Sequence, residues 1–154
     1  MISPVSEIHI RRARAADVEP IVAMLADDRL GATRESTADL GPYERAFARI
    51  DADPNQVLVV ADRRGLPVGT LQLTVIPGLA RSGATRGQIE AVRVHADLRG
   101  DGLGARLLRW AIEEARARGC ALVQLTSDAS RGEAHRFYEG LGFSATHTGF
   151  KLAL

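Results

Sequence analysis

A chain of 154 residues is the size of one domain, and 45% hydrophobic with 25% charged residues is the balance of a globular protein rather than a disordered or fibrous one. Twenty basic residues against nineteen acidic ones leave a net charge of +1, too little to steer the chain onto nucleic acid or an anionic membrane. No apolar run approaches the roughly 20 residues of a membrane span, the single cysteine, Cys120, excludes an intrachain disulfide framework, and His9, His95, His135 and His147 lack metal-binding spacing, so no metal is expected.

The opening residues, Met1 to Glu7, have neither the basic segment nor the apolar stretch of a signal peptide, and the cytoplasm is the expected location. Ile8 and Ile10 alternate with polar residues through Glu7 to Arg14 as in a half-buried strand. Asp17 then offers an N-cap for a helix carrying Val18, Ile21, Val22 and Leu25. After a polar stretch from Gly31 to Ala38, Leu40, Tyr43, Phe47 and Ile50 recur at helical spacing until Asp53-Pro54-Asn55 stops the run. Val57 to Ala61 and Val68 to Ile76 read as two strands of a hairpin joined by turn chemistry at Arg63 to Pro67.

Pro77-Gly78 ends that hairpin, and a basic, Gly-containing loop from Arg81 to Gly87 leads to a strand from Gln88 to Val94 in which polar and apolar residues do not alternate cleanly. Leu103, Leu107, Leu108, Ala111, Ile112 and Ala115 mark one face of a long helix from Gly102 to Arg118, with Gly119 as its C-terminal stop. Ala121 to Thr126 reads as a central strand that opens on Cys120, where a small apolar residue is expected. Glu133 to Leu141 reads as a short helix closed by Gly142, and Phe143 to Leu152 as a last strand. The order is βααβββαβαβ, an α+β or mixed α/β layer arrangement in one domain over residues 1–154.

Chemistry concentrates at Arg99-Gly100-Asp101-Gly102-Leu103-Gly104, between a strand and the long helix. The first N–H groups of a helix lack internal partners and carry about half a positive charge, so they attract phosphate. Glycines at 100, 102 and 104 let the backbone take otherwise strained angles and approach an anion, and Arg99 adds a fixed charge at the rim. There is no Gly-x-x-x-x-Gly-Lys-Ser/Thr, and the glycines are too close together for Gly-x-Gly-x-x-Gly, which excludes the two commonest nucleotide loops. From the glycines alone, a tight turn and a phosphate cradle both remain open.

With its neighbours, the segment resembles the GNAT superfamily of acyl-CoA-dependent N-acyltransferases. Arg99, Gly102 and Gly104 match the Arg/Gln-x-x-Gly-x-Gly/Ala signature behind a strand through Val92 and Val94, and Ala134-His135-Arg136-Phe137-Tyr138-Glu139-Gly140-Leu141-Gly142-Phe143 matches the later one. The resemblance implies a central mixed sheet flanked by helices, acetyl-CoA as cosubstrate, and direct transfer of an acetyl group to an amine. It implies that Val92, Arg93 and Val94 pair with the pantetheine arm and that Arg99, Gly100, Asp101, Gly102, Leu103, Gly104 and Ala105 hold the pyrophosphate. A strand N–H would stabilise the charge that builds on the attacked carbonyl. The family's bulge in this strand is compatible with the broken alternation noted above.

An alkyl amine with a pKa near 10.4 is neutral about one part in a thousand at pH 7, a handicap of about 4 kcal/mol, so a base is required. The resemblance makes Glu90 the candidate general base, through water, and Tyr138 the candidate general acid for the leaving thiolate. The alternatives are a surface or ion-paired glutamate, and an aromatic that packs its helix while Phe137, about 100° away, enters the core. His95 and His135 are weaker candidate bases. Arg131 could reach a CoA phosphate or flank a helix, and the family's frequent asparagine near it is absent.

The family's acceptor specificity would map to Asp27 to Tyr43, whose Asp27, Asp28, Arg34, Glu35 and Asp39 include carboxylates suited to an amine. It would map also to Pro77 to Gln88, whose Arg81 and Arg86 suit a carboxylate or phosphate. Gly140 to Leu154 resembles members that acetylate small amines, including aminoalkylphosphonate acetyltransferases. A small-molecule amine is therefore the expected acceptor, with no nucleic-acid or membrane partner. A peptide acceptor and a non-catalytic CoA-binding regulatory module are the alternatives. Members of the family are often homodimers, a state this sequence leaves open.

Overall fold

The computed structural model describes residues 7–154, which group into two compact units divided between Gln124 and Leu125. The first carries β1 (Ile8–Arg12), a 3-10 turn at Ala15–Asp17, α1 (Val18–Ala26), α2 (Gly31–Arg34), α3 (Gly41–Ala52), β2 (Gln56–Arg63), β3 (Leu66–Ile76), the single turn α4 (Ala80–Gly83), β4 (Arg86–Val94), a second 3-10 turn at Ala96–Leu98, α5 (Leu103–Ala117) and β5 (Leu122–Leu125), which ends on the boundary. One five-stranded mixed sheet runs in the order β1-β2-β3-β4-β5. Strands β1 to β4 form an antiparallel meander, and α5 supplies the crossover between the neighbours β4 and β5.

The β2–β3 hairpin closes on Arg64 and Gly65, both at positive φ (54° and 85°), the combination a two-residue turn needs to follow the strand twist. Val57, Val59, Val60 and Ala61 in β2 are all buried, so both faces of this strand are covered. Val60 packs with Ala13, Ile21 and Met24, against Leu25, Phe47 and Leu58, which is the face under α1 and α3. The other face carries Val57, Val59 and Ala61 opposite Leu73, Leu71 and Gly69, beneath α5.

Two glycines set how closely α5 sits there. A Cβ at Gly69 would lie 3.1 Å from Leu107 Cδ1, and one at Gly87 would lie 3.2 Å from Leu73 Cδ1 and 3.3 Å from Ala115 Cβ. Leu103, Leu107, Leu108, Ala111 and Ala115 of α5 are buried as their spacing predicts, and each fully buried leucine contributes about 1.5 to 3 kcal/mol. The helix ends as expected. Gly119 takes φ 80°, Gly119 N donates to Arg116 O at 3.0 Å, and Cys120 N donates to Ala115 O at 2.9 Å.

Asp17 does stand before α1, but its carboxylate does not cap it. It is buried and accepts both Nη groups of Arg11 (2.7 and 3.0 Å) and the N–H of Arg14 (2.7 Å). The Nε of Arg11 donates to the equally buried Asp62 at 2.7 Å, whose other oxygen accepts Gly65 N–H at 2.7 Å in the hairpin turn. Burial pushes both carboxyls up, but the Arg11 hydrogen bonds and the backbone N–H groups outweigh it and hold both below the usual carboxylate value. One guanidinium thus ties β1 to the entry of α1 and to the β2–β3 turn.

In the second unit α6 spans Gly132–Gly140, closed by Gly142 at φ 96° with its N–H on Glu139 O at 3.0 Å. The strand expected over Phe143 to Leu152 is not formed. Among the described residues its last backbone hydrogen bond is Phe143 N to Tyr138 O, and Phe150, Leu152 and Leu154 are exposed. Alternation supplies the propensity for a strand, but a strand exists only by pairing. For the same reason β5, expected to be central, is an edge strand whose four residues are only half-buried.

Arg11→Met leaves two buried carboxylates uncompensated, at a cost of about 3 to 5 kcal/mol, and lowers the melting temperature by roughly 10 °C. The stability from a depressed carboxylate is present above its unfolded pKa of about 3.9 and is lost as pH falls through the lower folded value. Melts followed from neutral to acid pH should show the parent losing stability in the acid carboxylate range and the variant recovering part of its deficit, because without Arg11 burial favours the protonated, neutral carboxyls in the folded state.

Candidate active site

The irregular strand is β4, and its irregularity is a bulge. Thr70 pairs with Arg93 and Gln72 with Glu90, so the single residue Leu71 faces two, Ala91 and Val92. Ala91 takes φ 53°, a left-handed conformation that costs an alanine about 1 kcal/mol or more. Before the bulge Ile89 is buried opposite Leu73 on the α5 face, so Glu90 lies on the other face, where it is exposed. After it, Val92, Arg93 and Val94 are half-buried. Arg93 donates through Nη1 to Val92 O at 2.9 Å and lies 3.6 Å through Nη2 from Asp28. Strand β5 accompanies the first half of β4, where Ala121 N meets Thr85 O and Gln124 Nε2 meets Gln88 Oε1, each at 2.8 Å.

Beyond β4, His95 N donates to Val68 O at 2.8 Å and its Nδ1 accepts Asp97 N at 3.3 Å, which gives this histidine a local structural task. Leu98 is buried and pins the turn. Gly100 and Gly102 then take φ 86° and 83°, and nothing lies within 4 Å of where a Cβ would project from either. The left-handed backbone, not crowding, requires glycine at these two positions.

The first α-helical bond of α5 is Arg106 N to Gly102 O at 3.1 Å. The N–H groups of Leu103, Gly104 and Ala105 therefore precede the helical ladder, as at any helix start. The side chain of Leu103 is buried in the core, so only its backbone can meet a ligand. Asp101 is exposed. Arg99 donates through Nε to Val94 O at 3.2 Å and through Nη2 to the carbonyl and carboxylate of Asp27, at 3.0 and 3.2 Å. The Arg99 and Arg93 partners, adjacent at the end of α1, had no signal in the sequence, because they lie 72 and 65 positions away.

In the second unit Tyr138 is half-buried on α6, edge-on to Phe137 and Phe143 at centroid distances of 5.3 and 6.0 Å. Phe137, expected in the core, is 38% exposed. Its neighbour, at the other side of the helix turn, takes the more buried position. Arg131 is the N-cap residue of α6, half-buried, with its N–H on Asp128 O at 3.0 Å and its carbonyl accepting His135 N at 3.1 Å. His135 Nε2 lies 3.0 Å from Asp128 O.

Cys120 precedes β5 instead of opening it and is partly buried. Burial pushes its thiol above the ordinary value against the opposing charge of Arg118, which suits a packed residue and not a nucleophile. Among the described residues no group of three or more His, Cys, Asp or Glu side chains could hold a metal. A shallow surface hollow lined by Glu7, Arg63, Arg64 and Leu66 lies at the β2–β3 turn and contains none of the candidate residues.

The model of the acetyltransferase (GNAT) family matches residues 22–143. The chain is 31% identical over 153 residues to an aminoalkylphosphonate N-acetyltransferase of Salmonella typhimurium, covering 99% of this chain and 94% of that one. It is 32% identical over 142 residues to a probable glucosamine 6-phosphate N-acetyltransferase of Oryza sativa, covering 88% and 81%. A Bacillus halodurans structure described as a transcriptional regulator superposes with TM-score 0.92 at 47% identity, over 96% of this chain and 99% of that one. The chain belongs to the GNAT acetyltransferase family. It is an acetyl-CoA-dependent N-acetyltransferase.

Gly102→Ala forces a Cβ into the left-handed region at the loop's last residue and should destabilise the fold by about 1 kcal/mol. Calorimetric titration with CoA should show affinity falling severalfold, because the same backbone angle aims the following N–H groups. Unchanged affinity would mean the loop does not contact the donor.

Proposed function

We propose that this enzyme acetylates a small primary amine that also bears a phosphonate or phosphate group, and that the whole chain works as one N-acetyltransferase domain. The acceptor reading is supported by the names of the two relatives, both of which denote an amine carrying a phosphorus oxyanion. Arg81, in the loop between β3 and β4, and Arg86, the first residue of β4, are suited to such an anion. That loop is tightly wound, with Arg81, Ser82 and Gly83 all at positive φ. The family match supports one domain because it runs across the boundary between the two units.

The observation that carries the donor reading is the bulged strand leading into a glycine turn with positive φ at 100 and 102, followed by the first-turn N–H groups of α5. Val92, Arg93 and Val94 pair with the pantetheine arm of acetyl-CoA. The N–H groups from Gly100 to Ala105 and the Arg99 charge hold its pyrophosphate, with Asp101 at the rim and Arg131 on a further phosphate. The amine attacks the thioester carbonyl, the carbonyl oxygen takes up charge against a β4 N–H, and the C–S bond breaks to release CoA. Glu90, exposed beside the bulge, accepts the amine's proton through water, and Tyr138 protonates the departing thiolate.

Thiol release measured with acetyl-CoA against a panel of aminoalkylphosphonates, amino-sugar phosphates, plain amines and peptides tests the acceptor. Phosphorus-bearing amines should give the highest kcat/KM, and Arg81→Ala with Arg86→Ala should raise their KM about tenfold while leaving plain amines alone. Tyr138→Phe and Glu90→Gln should each lower kcat by about 10² with little change in KM for acetyl-CoA. Full turnover in Tyr138→Phe would remove it from the mechanism.

The working form we propose is a homodimer in the cytoplasm with no nucleic-acid or membrane partner. The near balance of charge supports the last point, and no described helix is long and apolar enough to cross a membrane. Exposed Phe150, Leu152 and Leu154 support association. Sedimentation should give twice the monomer mass, and Phe150→Asp with Leu152→Asp should halve it.

A further inference from the structure

Arg99 uses two of its three guanidinium nitrogens within the protein. Nε donates to Val94 O at the end of β4, and both hydrogens of Nη2 are taken by Asp27, one on its backbone oxygen at 3.0 Å and one on its carboxylate at 3.2 Å. Among the described residues Nη1 has no acceptor. Asp27 is the C-cap residue of α1, so its carbonyl stands at the negative end of that helix, where a cation and a hydrogen-bond donor are both favoured. The pair is solvent-exposed, with side chains 53% and 61% accessible. Exposed pairs of this kind contribute little to stability, so holding the protein together is not what this pair is suited to. Its geometric effect is larger. A long side chain with several free torsions is held from two sides, by a strand end and by a helix end that the sequence separates by 72 positions.

We infer that Asp27 is a positioning residue for the donor: it holds the Arg99 guanidinium so that Nη1 alone is left to meet the pyrophosphate of acetyl-CoA. This rests on the reading of Arg99 as a pyrophosphate ligand. An arginine already immobilised loses less conformational freedom when the phosphate arrives, and the carboxylate achieves this by its place rather than by touching substrate. Because Asp27 opens the connector between α1 and α2, a segment assigned to the acceptor, one residue joins the helix that leads into the acceptor region to the donor loop.

Steady-state kinetics and melting temperature of Asp27→Ala, Asp27→Asn, Arg99→Ala and the Asp27→Ala/Arg99→Ala double variant test this. Asp27→Ala should raise KM for acetyl-CoA about fivefold, the amount expected from freeing one long side chain, with kcat and the melting temperature at parent values. Asp27→Asn keeps an acceptor oxygen and should return KM to within about twofold of the parent. In the Arg99→Ala background the Asp27→Ala change should add nothing, since its effect passes through Arg99. An unchanged or lowered KM in Asp27→Ala, a fall in kcat instead, a lowered melting temperature that accounts for the loss, or an additive double variant would each overturn the inference. If Arg99→Ala itself binds acetyl-CoA like the parent, the pyrophosphate reading of Arg99 fails. If Arg99→Ala binds weakly and Asp27→Ala does not, only the role of Asp27 fails.

Discussion

The seating of α5 on β3 and β4 is the constraint from which the proposed donor site follows. Its N-terminus can stand at the end of β4 only if the helix lies close along the sheet, and Gly69 and Gly87 provide that closeness where a methyl group would meet Leu107, Leu73 or Ala115 at 3.1 to 3.3 Å. Once Leu103, Leu107, Ala111 and Ala115 are buried, the helix has no freedom to rotate without exposing them. The direction of its first N–H groups is then set by packing some way from the chemistry. A side chain that never touches a ligand therefore controls where a ligand can be held.

The bulge in β4 works in the opposite sense, as a local cost accepted for shape. Ile89 must face α5, and regular alternation would carry that requirement to the end of the strand. The extra residue at Ala91 and Val92 breaks it, leaving Glu90 and Ala91 exposed and turning the strand's last residues to a new register with β3. An alanine at φ 53° persists there because the ladder on both sides, Gln72 with Glu90 and Thr70 with Arg93, leaves no alternative angle.

Ion pairs in the first unit divide by burial. Arg11 with Asp17 and Asp62 is largely buried, hydrogen-bonded through all three guanidinium nitrogens and joins three parts of the chain, so its removal exposes an imbalance the interior cannot screen. The pair of Arg99 with Asp27 is exposed, where charge is screened and orientation is what remains. Similar residues thus serve stability in one place and geometry in the other.

Much of this was legible in the sequence because it depends on short-range pattern. The heptad-like spacing from Leu103 to Ala115, the stops at Gly119 and Gly142, the β2–β3 hairpin and the Arg99 turn each rest on residues within a few positions of one another, and each stands where periodicity and glycine chemistry put it. The broken alternation from Gln88 to Val94 was a true sign of the bulge, although only the pairing with β3 locates it at Ala91 and Val92. What the tertiary structure decided is everything that needs a partner distant in sequence. Asp17 became a ligand of Arg11 instead of a helix cap, Asp27 was matched to Arg99, β5 became an edge, and Phe143 to Leu152 stayed unpaired despite its alternation. Local sequence sets which conformation a segment prefers, but hydrogen-bond and charge partners are chosen by proximity in space, which only the assembled fold supplies.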